Sequence, residues 1–141
     1  MAYEENLQTI SLLASSDVAV YTGVPGMPGS ASPNAGYQFR VVKLGATARE
    51  VTRAVTTANE VPIGVLQTKP QATGAPATVA ISGVSLVECG GTVTANSVVK
   101  VDSTGRIVDA TLPGDAALVV GVALETGAVT NLVPVLLKLK S

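Results

Sequence analysis

Two stretches of this chain repeat one pattern, and that pattern restricts the fold more than anything else in the sequence. VPIGVLQTKPQATGAPATVAISGVSLV runs from Val61 to Val87, and LVVGVALETGAVTNLVPVLLKL runs from Leu118 to Leu139. Each starts with a short apolar run carrying Gly-Val, at Gly64-Val65 and Gly121-Val122. Each passes through a polar turn and ends in a longer strand of alternating apolar residues. Alternation with a period of two places side chains on opposite faces of a strand, and turn residues at both ends mark hairpin units. A chain of 141 residues built on two such units has room for one β-domain.

The rest of the chain from Tyr37 onward reads the same way. Phe39–Leu44 is a candidate strand ending at Gly45. Glu50–Thr56 alternates with Val51 and Val55 on one face, and a helical turn over Ala46–Arg53 competes with it. Val61, Ile63 and Val65 share a face of the next strand. Pro62 marks the start or edge of that strand, because proline has no N–H for a ladder. In the long strand, Ala77, Val79 and Ile81 point inward. After Ser82-Gly83 the apolar set moves to Val84 and Leu86, a one-residue shift that signals a β-bulge at glycine.

Val99 and Val101 face in. Asp102-Ser103-Thr104-Gly105 has Asp first and Gly fourth, as a tight turn requires, so Arg106–Thr111 returns as a hairpin partner. Leu118, Val120, Val122 and Leu124 alternate. So do Val133, Val135, Leu137 and Leu139, with Lys138 and Lys140 opposite. Strands spaced every 8–12 residues or so imply an all-β fold, a small β-barrel or β-sandwich-like domain with a bulged long strand.

Residues 1–36 differ in character. Leu7, Ile10, Leu12 and Leu13 suit a short amphipathic helix or a short strand. SSDVAVYTGVPGMPGSASPNAG follows, dense in Gly, Pro, Ser and Asn. Such a segment reads as an extended N-terminal arm on a domain spanning 37–141. Its glycines at every third position, Gly23, Gly26 and Gly29, are too few for a triple helix and indicate extended, polyproline-like backbone.

The chain contains only four aromatic residues, Tyr3, Tyr21, Tyr37 and Phe39. None lies beyond position 39, so the domain core must be packed from Val, Ile, Leu and Ala. Aromatic anchors on an arm suit a partner surface. With Leu7 and Ile10 they form the candidate partner-binding set, for another protein or a neighbouring subunit. The competing reading folds the tyrosines back onto the chain's own barrel.

Composition narrows the function classes. With no histidine, Ser-His-Asp and Cys-His catalysis are excluded. No phosphate-binding glycine loop occurs, and the carboxylates lack calcium-loop spacing. Cys89, the only cysteine, reads as a buried strand-end residue before the Gly90-Gly91 turn. No catalytic residue, cofactor or metal site is expected, and the chain reads as non-enzymatic. Net charge is −1 with basic residues scattered, which argues against nucleic acid. No charge-free run escapes Gly and Pro for long enough to form a membrane helix. The acidic N-terminus lacks the basic region of a secretory signal. Charged residues make up only 13%, which favours packing against other copies over a solvated surface.

In order, the chain reads GVLQT, a turn, ATVAISGVSLVECGGTVTANSVVKVDSTGRIV, LVVGVALETG and a terminal alternating strand. This order resembles the capsid decoration, or cement, proteins of tailed phages. The matching elements are Gly64-Val65, Val79–Val84, Val98–Asp102 with Gly105, and Gly121-Val122-Ala123. The likeness covers about Tyr37 to Lys140, and the arm lies outside it. Asn96-Ser97 replaces the family's acidic lead-in to the Gly-turn. The resemblance implies a protein made in the host cytoplasm and bound to the outer surface of a phage head. There it would clamp the major capsid protein, as a homotrimer at three-fold or quasi-three-fold positions. A second class, a β-barrel carbohydrate binder or phage tail component, would usually show aromatic residues on the domain itself.

Overall fold

The computed structural model describes residues 7–16, 18–19, 37–53, 61–111, 114–115 and 118–138. Nine strands and no α-helix occur among them: β1 (Gln8–Ala14), β2 (Val41–Leu44), β3 (Glu50–Arg53), β4 (Gly64–Leu66), β5 (Pro76–Glu88), β6 (Val98–Val101), β7 (Ile107–Asp109), β8 (Val119–Ala123) and β9 (Leu132–Leu137). The fold is all-β, as the alternation implied. The strands form one sheet in the order β1-β3-β2-β4-β5-β9-β8-β6-β7. A further pairing of β1 with β5 closes the first five strands into a ring. The four strands β9, β8, β6 and β7 extend from it.

β5 joins the two halves. Its first part pairs with β4 and β1, and its second part, Gly83–Glu88, pairs with β9. The change of partner occurs at Gly83, whose φ of 95° is a left-handed value that glycine adopts without steric cost. A bulge lies just before it, where Gln8 and Thr9 of β1 oppose Ser82 and Ala80 and skip Ile81.

Two cores result, and both draw on the same strands. Val42, Leu66 and Val79 point into the ring, with Ala14, Val51, Ala77 and the ring of Tyr37. Val41, Val65 and Ala80 are their chain neighbours, and they point the other way, where they meet Val87, Val99, Ile107, Val133 and Val135. Val41 pairs with Val65 and Val65 with Ala80, so these three form one row across β2, β4 and β5. Adjacent residues on a strand always face opposite sides. The doublets Val41-Val42, Val65-Leu66 and Val79-Ala80 are therefore what strands buried on both faces require.

The structure corrects several details of the sequence reading. β2 begins at Val41, because Phe39 has a φ of 65° and sits in a turn. Glu50 opens a strand, which settles the Ala46–Arg53 alternative against a helix, and Val51 is buried. Val55, Leu139 and Lys140 lie outside the described residues. Val61, Ile63 and Val65 do not share a face. Val61 is exposed, Ile63 packs on the ring core and Val65 on the second core, because regular strand starts only at Gly64. The Leu7–Leu13 segment is a strand, β1, hydrogen-bonded in the sheet.

The largest correction concerns β5 and β8. Ser85 and Val87 are the buried residues, whereas Val84 and Leu86 lie on the opposite face and are partly exposed. A serine can be buried here because its hydroxyl is satisfied. Gln67 Nε2 donates to Ser85 Oγ at 2.8 Å, and Ser85 Oγ donates to the Leu86 carbonyl at 3.0 Å. In β8, Val120 and Ala123 face inward, while Val122 is partly exposed and Leu124 largely so. The cause is a register shift opposite Val99 and Lys100 of β6. The Asp102–Gly105 turn and the β6–β7 hairpin match expectation, with Val101 opposite Ile107. So does the inward row Val133, Val135 and Leu137.

Candidate interaction surface

Of the six side chains singled out in the sequence, the four that are described do not converge. Tyr37 is only 2% exposed, and its hydroxyl donates to the Val41 carbonyl at 2.8 Å. The Arg40 guanidinium lies 5.6 Å over its ring. This ring is thus folded into the chain's own core, in the second of the two ways considered for the tyrosines. Gly105 sits directly against the Tyr37 hydroxyl, where any Cβ would collide, and its φ of 81° favours glycine in any case. Phe39 is partly buried; its N–H donates to Leu66 O at 2.7 Å, and its carbonyl accepts from Glu88 N at 2.9 Å. Leu7 packs at the margin of the second core. Ile10 is opposite Val79 yet 39% exposed, at the rim of the ring. Tyr3 and Tyr21 lie outside the described residues.

The polar side chains near Tyr37 are engaged with one another. Glu88 accepts from Arg40 Nη2 at 3.1 Å and from Arg106 Nη1 at 3.5 Å. Asp102 Oδ1 accepts from the Thr104 N–H, the Thr104 hydroxyl and the Arg106 N–H, at 2.8, 2.8 and 3.0 Å. These contacts tie the ring to the β6–β7 turn. Such a cluster is a structural pin, although the buried Arg40 Nε has no hydrogen-bond partner among the described residues. Cys89 is buried beside it. Burial, with the nearby Glu88 and Asp109 carboxylates, pushes its thiol up to about 11, so it is an inert thiol at neutral pH. Among the described residues no group of three or more metal-ligating side chains occurs, and no helix is long and apolar enough to cross a membrane.

The surface with the strongest physical signature is one that sequence reasoning placed inside. Val84 pairs with Leu136, Leu136 with Val122, and Val122 with Val98. Directly paired residues share a face, so these four make an apolar row across β5, β9, β8 and β6. A second row lies beside it. Leu86 pairs with Pro134, whose carbonyl accepts from Leu124 N at 2.9 Å. Pro134 has no N–H to give, and β8 ends at Ala123 next to it. Leu124 and Leu132 are each 45% exposed, and Leu136 is 37% exposed. This sheet face therefore presents aliphatic side chains to solvent, opposite the face that packs the second core.

One signal in the sequence pointed to it. LVPVLL in β9 and SGVSLV in β5 have apolar residues in both phases, not in one. Continuous apolar runs belong to strands covered on both faces. Contiguous apolar surface of this kind marks a place where another molecule binds.

No protein-family model matches the sequence, and no curated protein matches it. Among solved structures, the chain is similar to the head fiber gp8.5 N base in bacteriophage phi29. The TM-score is 0.62 at 17% identity, and the match covers 94% of each chain. At that identity the likeness establishes a shared fold. It spans the ring and the extension together.

Proposed function

We propose that this chain is a non-enzymatic structural component of a phage head. In this reading it is held on the outer surface of the capsid, where it decorates and stabilises the shell. The observation that carries the proposal is the match, over 94% of both chains, to the base of a head fiber. The family resemblance of Gly64-Val65, Val79–Val84 and Gly121-Val122-Ala123 leads independently to the same setting. The physical character of the chain agrees with it. Its polar cluster is spent on itself, its thiol is inert, and its most conspicuous surface is an uncharged sheet face.

The finer reading is a homotrimer at three-fold or quasi-three-fold positions, clamping neighbouring copies of the major capsid protein. Tyr3 and Tyr21 supply capsid contacts, with Ile10 at the exposed rim of the ring. Several weak contacts on one oligomer add through effective concentration. Binding to the assembled lattice stabilises the head by mass action.

The test is co-sedimentation of the purified protein with empty expanded heads, followed by cryo-electron microscopy of the pellet. Saturable binding at fixed lattice positions is the expected result. Absence of binding to heads, together with binding to a glycan array, would replace this reading with the carbohydrate-binding one. Deleting residues 1–36 is a poor probe, because it removes β1 and opens the ring. Tyr3→Ala with Tyr21→Ala leaves β1 in place and is expected to weaken head binding at least tenfold.

A further inference from the structure

The sheet ends in β7 on one side and in β1 on the other, and the chain treats these two edges differently. The outer side of β7 is covered by the segment that follows β5. Gly90 N–H donates to the Ile107 carbonyl at 2.8 Å, and the Thr94 N–H and hydroxyl donate to the Asp109 carboxylate at 3.1 and 3.0 Å. β3 meets β1 only at Leu13 and Ala14. The rest of β1, Gln8–Leu12, is therefore paired with β5 on one side and with no described strand on the other. Gln8, Thr9, Ile10 and Ser11 are all exposed.

The phase of the hydrogen bonds shows what that side of β1 offers. Ala14 N–H turns to β5 and donates to the Ala75 carbonyl at 2.9 Å. The N–H groups of Leu13 and Ser15 turn the other way, to the carbonyls of Arg49 and Val51 at 2.8 and 3.0 Å. Backbone groups alternate between the two edges of a strand. Ile10 and Leu12 therefore bond to β5, and Thr9 and Ser11 aim their N–H and C=O groups outward. Edges of this kind are usually blunted by charge, by proline or by cover. The stretch QTISL carries neither charge nor proline. Arg49 reaches it from the next turn, where its Nη2 donates to the Ser11 carbonyl at 3.3 Å. This arginine is exposed and in no ion pair among the described residues.

We infer that this edge receives an extended segment of another protein, which adds to β1 as a further strand and sets a carboxylate against Arg49. Two features select that occupant. Outward donors and acceptors at strand spacing are matched in full by extended polypeptide backbone. A guanidinium with one long contact to a carbonyl gains a charge-assisted, two-point pair from a carboxylate. The β1 of a second copy offers no such group, because Leu7 to Ala14 contains no acidic residue. The guest strand is short, since β3 takes over the edge at Leu13. Side chains on its inner face cover Ile10, which is 39% exposed at the rim of the ring.

The test follows amide exchange in the full chain by nuclear magnetic resonance as capped peptides are added at millimolar concentration. The probe is EVTVTVE, whose two carboxylates serve either strand direction. KVTVTVK and a form of EVTVTVE with alternate amides N-methylated are the controls. The Thr9 and Ser11 amides should exchange freely in the chain alone and slow about tenfold or more with EVTVTVE. EVTVTVE should bind about three- to tenfold more tightly than KVTVTVK, and Arg49→Glu should reverse that order. Ser11→Pro removes an outward N–H and leaves the β1–β5 ladder whole, so it should weaken binding about tenfold with unchanged circular dichroism. Unprotected Thr9 and Ser11 amides, equal binding of the N-methylated peptide, or a charge preference untouched by Arg49→Glu would overturn the inference. So would protection of both amides in the chain alone as it associates, which would assign the edge to a second copy. Head binding is scored separately, and a chain that takes the peptide as stated yet ignores heads would refute the capsid reading alone.

Discussion

The hairpins β4–β5 and β8–β9 start from the same Gly-Val pattern and end in different surroundings. In both, the glycine lies against the partner strand. A Cβ on Gly64 would run into the Ala80 carbonyl, and one on Gly121 would run into the Leu136 carbonyl. In both, the following valine pairs with the residue that supplies that carbonyl, Val65 with Ala80 and Val122 with Leu136. The environments then diverge. The row through Val65 and Ala80 is buried in the second core, and the row through Val122 and Leu136 is partly open. The first hairpin is covered by its own chain on both faces. The second is covered on one. Equal sequence patterns have thus produced a wall between two cores and a wall with an outside, and the outside kept its aliphatic character.

The strongest way to break this comparison is at the glycines. Gly64→Ala and Gly121→Ala each force a methyl group into a backbone carbonyl of the neighbouring strand. Each is expected to cost about 2–4 kcal/mol in denaturant unfolding. Near-equal losses would support the equivalence of the two hairpins. A neutral Gly121→Ala would end it.

Next come two neighbours on β9 that face opposite ways. Val135→Ala removes a fully buried side chain and is expected to destabilise the folded chain by about 1–3 kcal/mol. Leu136→Ala, on the open face, should cost the isolated chain under about 1 kcal/mol. Equal stability losses at both positions would mean that the face is covered within one chain.

The smallest effect separates a buried group from an open one by pH. The Cys89 thiol is raised from 9.0 to about 11, chiefly by burial. A raised folded value means that the folded chain holds its proton after the unfolded chain has lost it. The stability linked to Cys89 is therefore intact below about pH 9 and declines between about pH 9 and 11. Native protein at pH 8 should leave Cys89 unmodified by a thiol reagent for hours, and unfolded protein should react in minutes. Rapid native modification would show the strand end to be open. Asp115 works in the opposite direction. The Thr111 N–H, and then Lys100, hold its carboxyl below the usual range, so its contribution is present at neutral pH and is lost on acidification.

How much of this could be read in the chain depended on whether a strand has one covered face or two. Where one face is polar, alternation is visible, and the inward placement of Val99 and Val101 followed from it, while in β9 Lys138 and Lys140 gave the phase of Val133, Val135 and Leu137. Where both faces are apolar, period two gives no phase. Val84 and Leu86 were then assigned to the core in place of Ser85 and Val87, because a buried serine looks wrong until Gln67 is seen donating to it. Turn chemistry was legible at Asp102–Gly105, where a short side chain and a glycine dictate the backbone locally. The pairing of β1 with β5 was not, since it joins residues some 70 apart through a ring that local signals do not encode. The site residues followed the same rule. Aromatic character singled out Tyr37, but the hydroxyl contact to Val41 that turns it inward is a tertiary event. The open face was hidden in plain aliphatic sequence.

The claim at the centre is the proposed one, that this chain serves a phage head as a homotrimer. The most direct measurement is the mass of the unmodified chain in solution, by light scattering from micromolar to millimolar concentration. One chain weighs 14.1 kDa. The expected result is a concentration-dependent rise to a species of three chains. A mass of one chain at every concentration would contradict the claim.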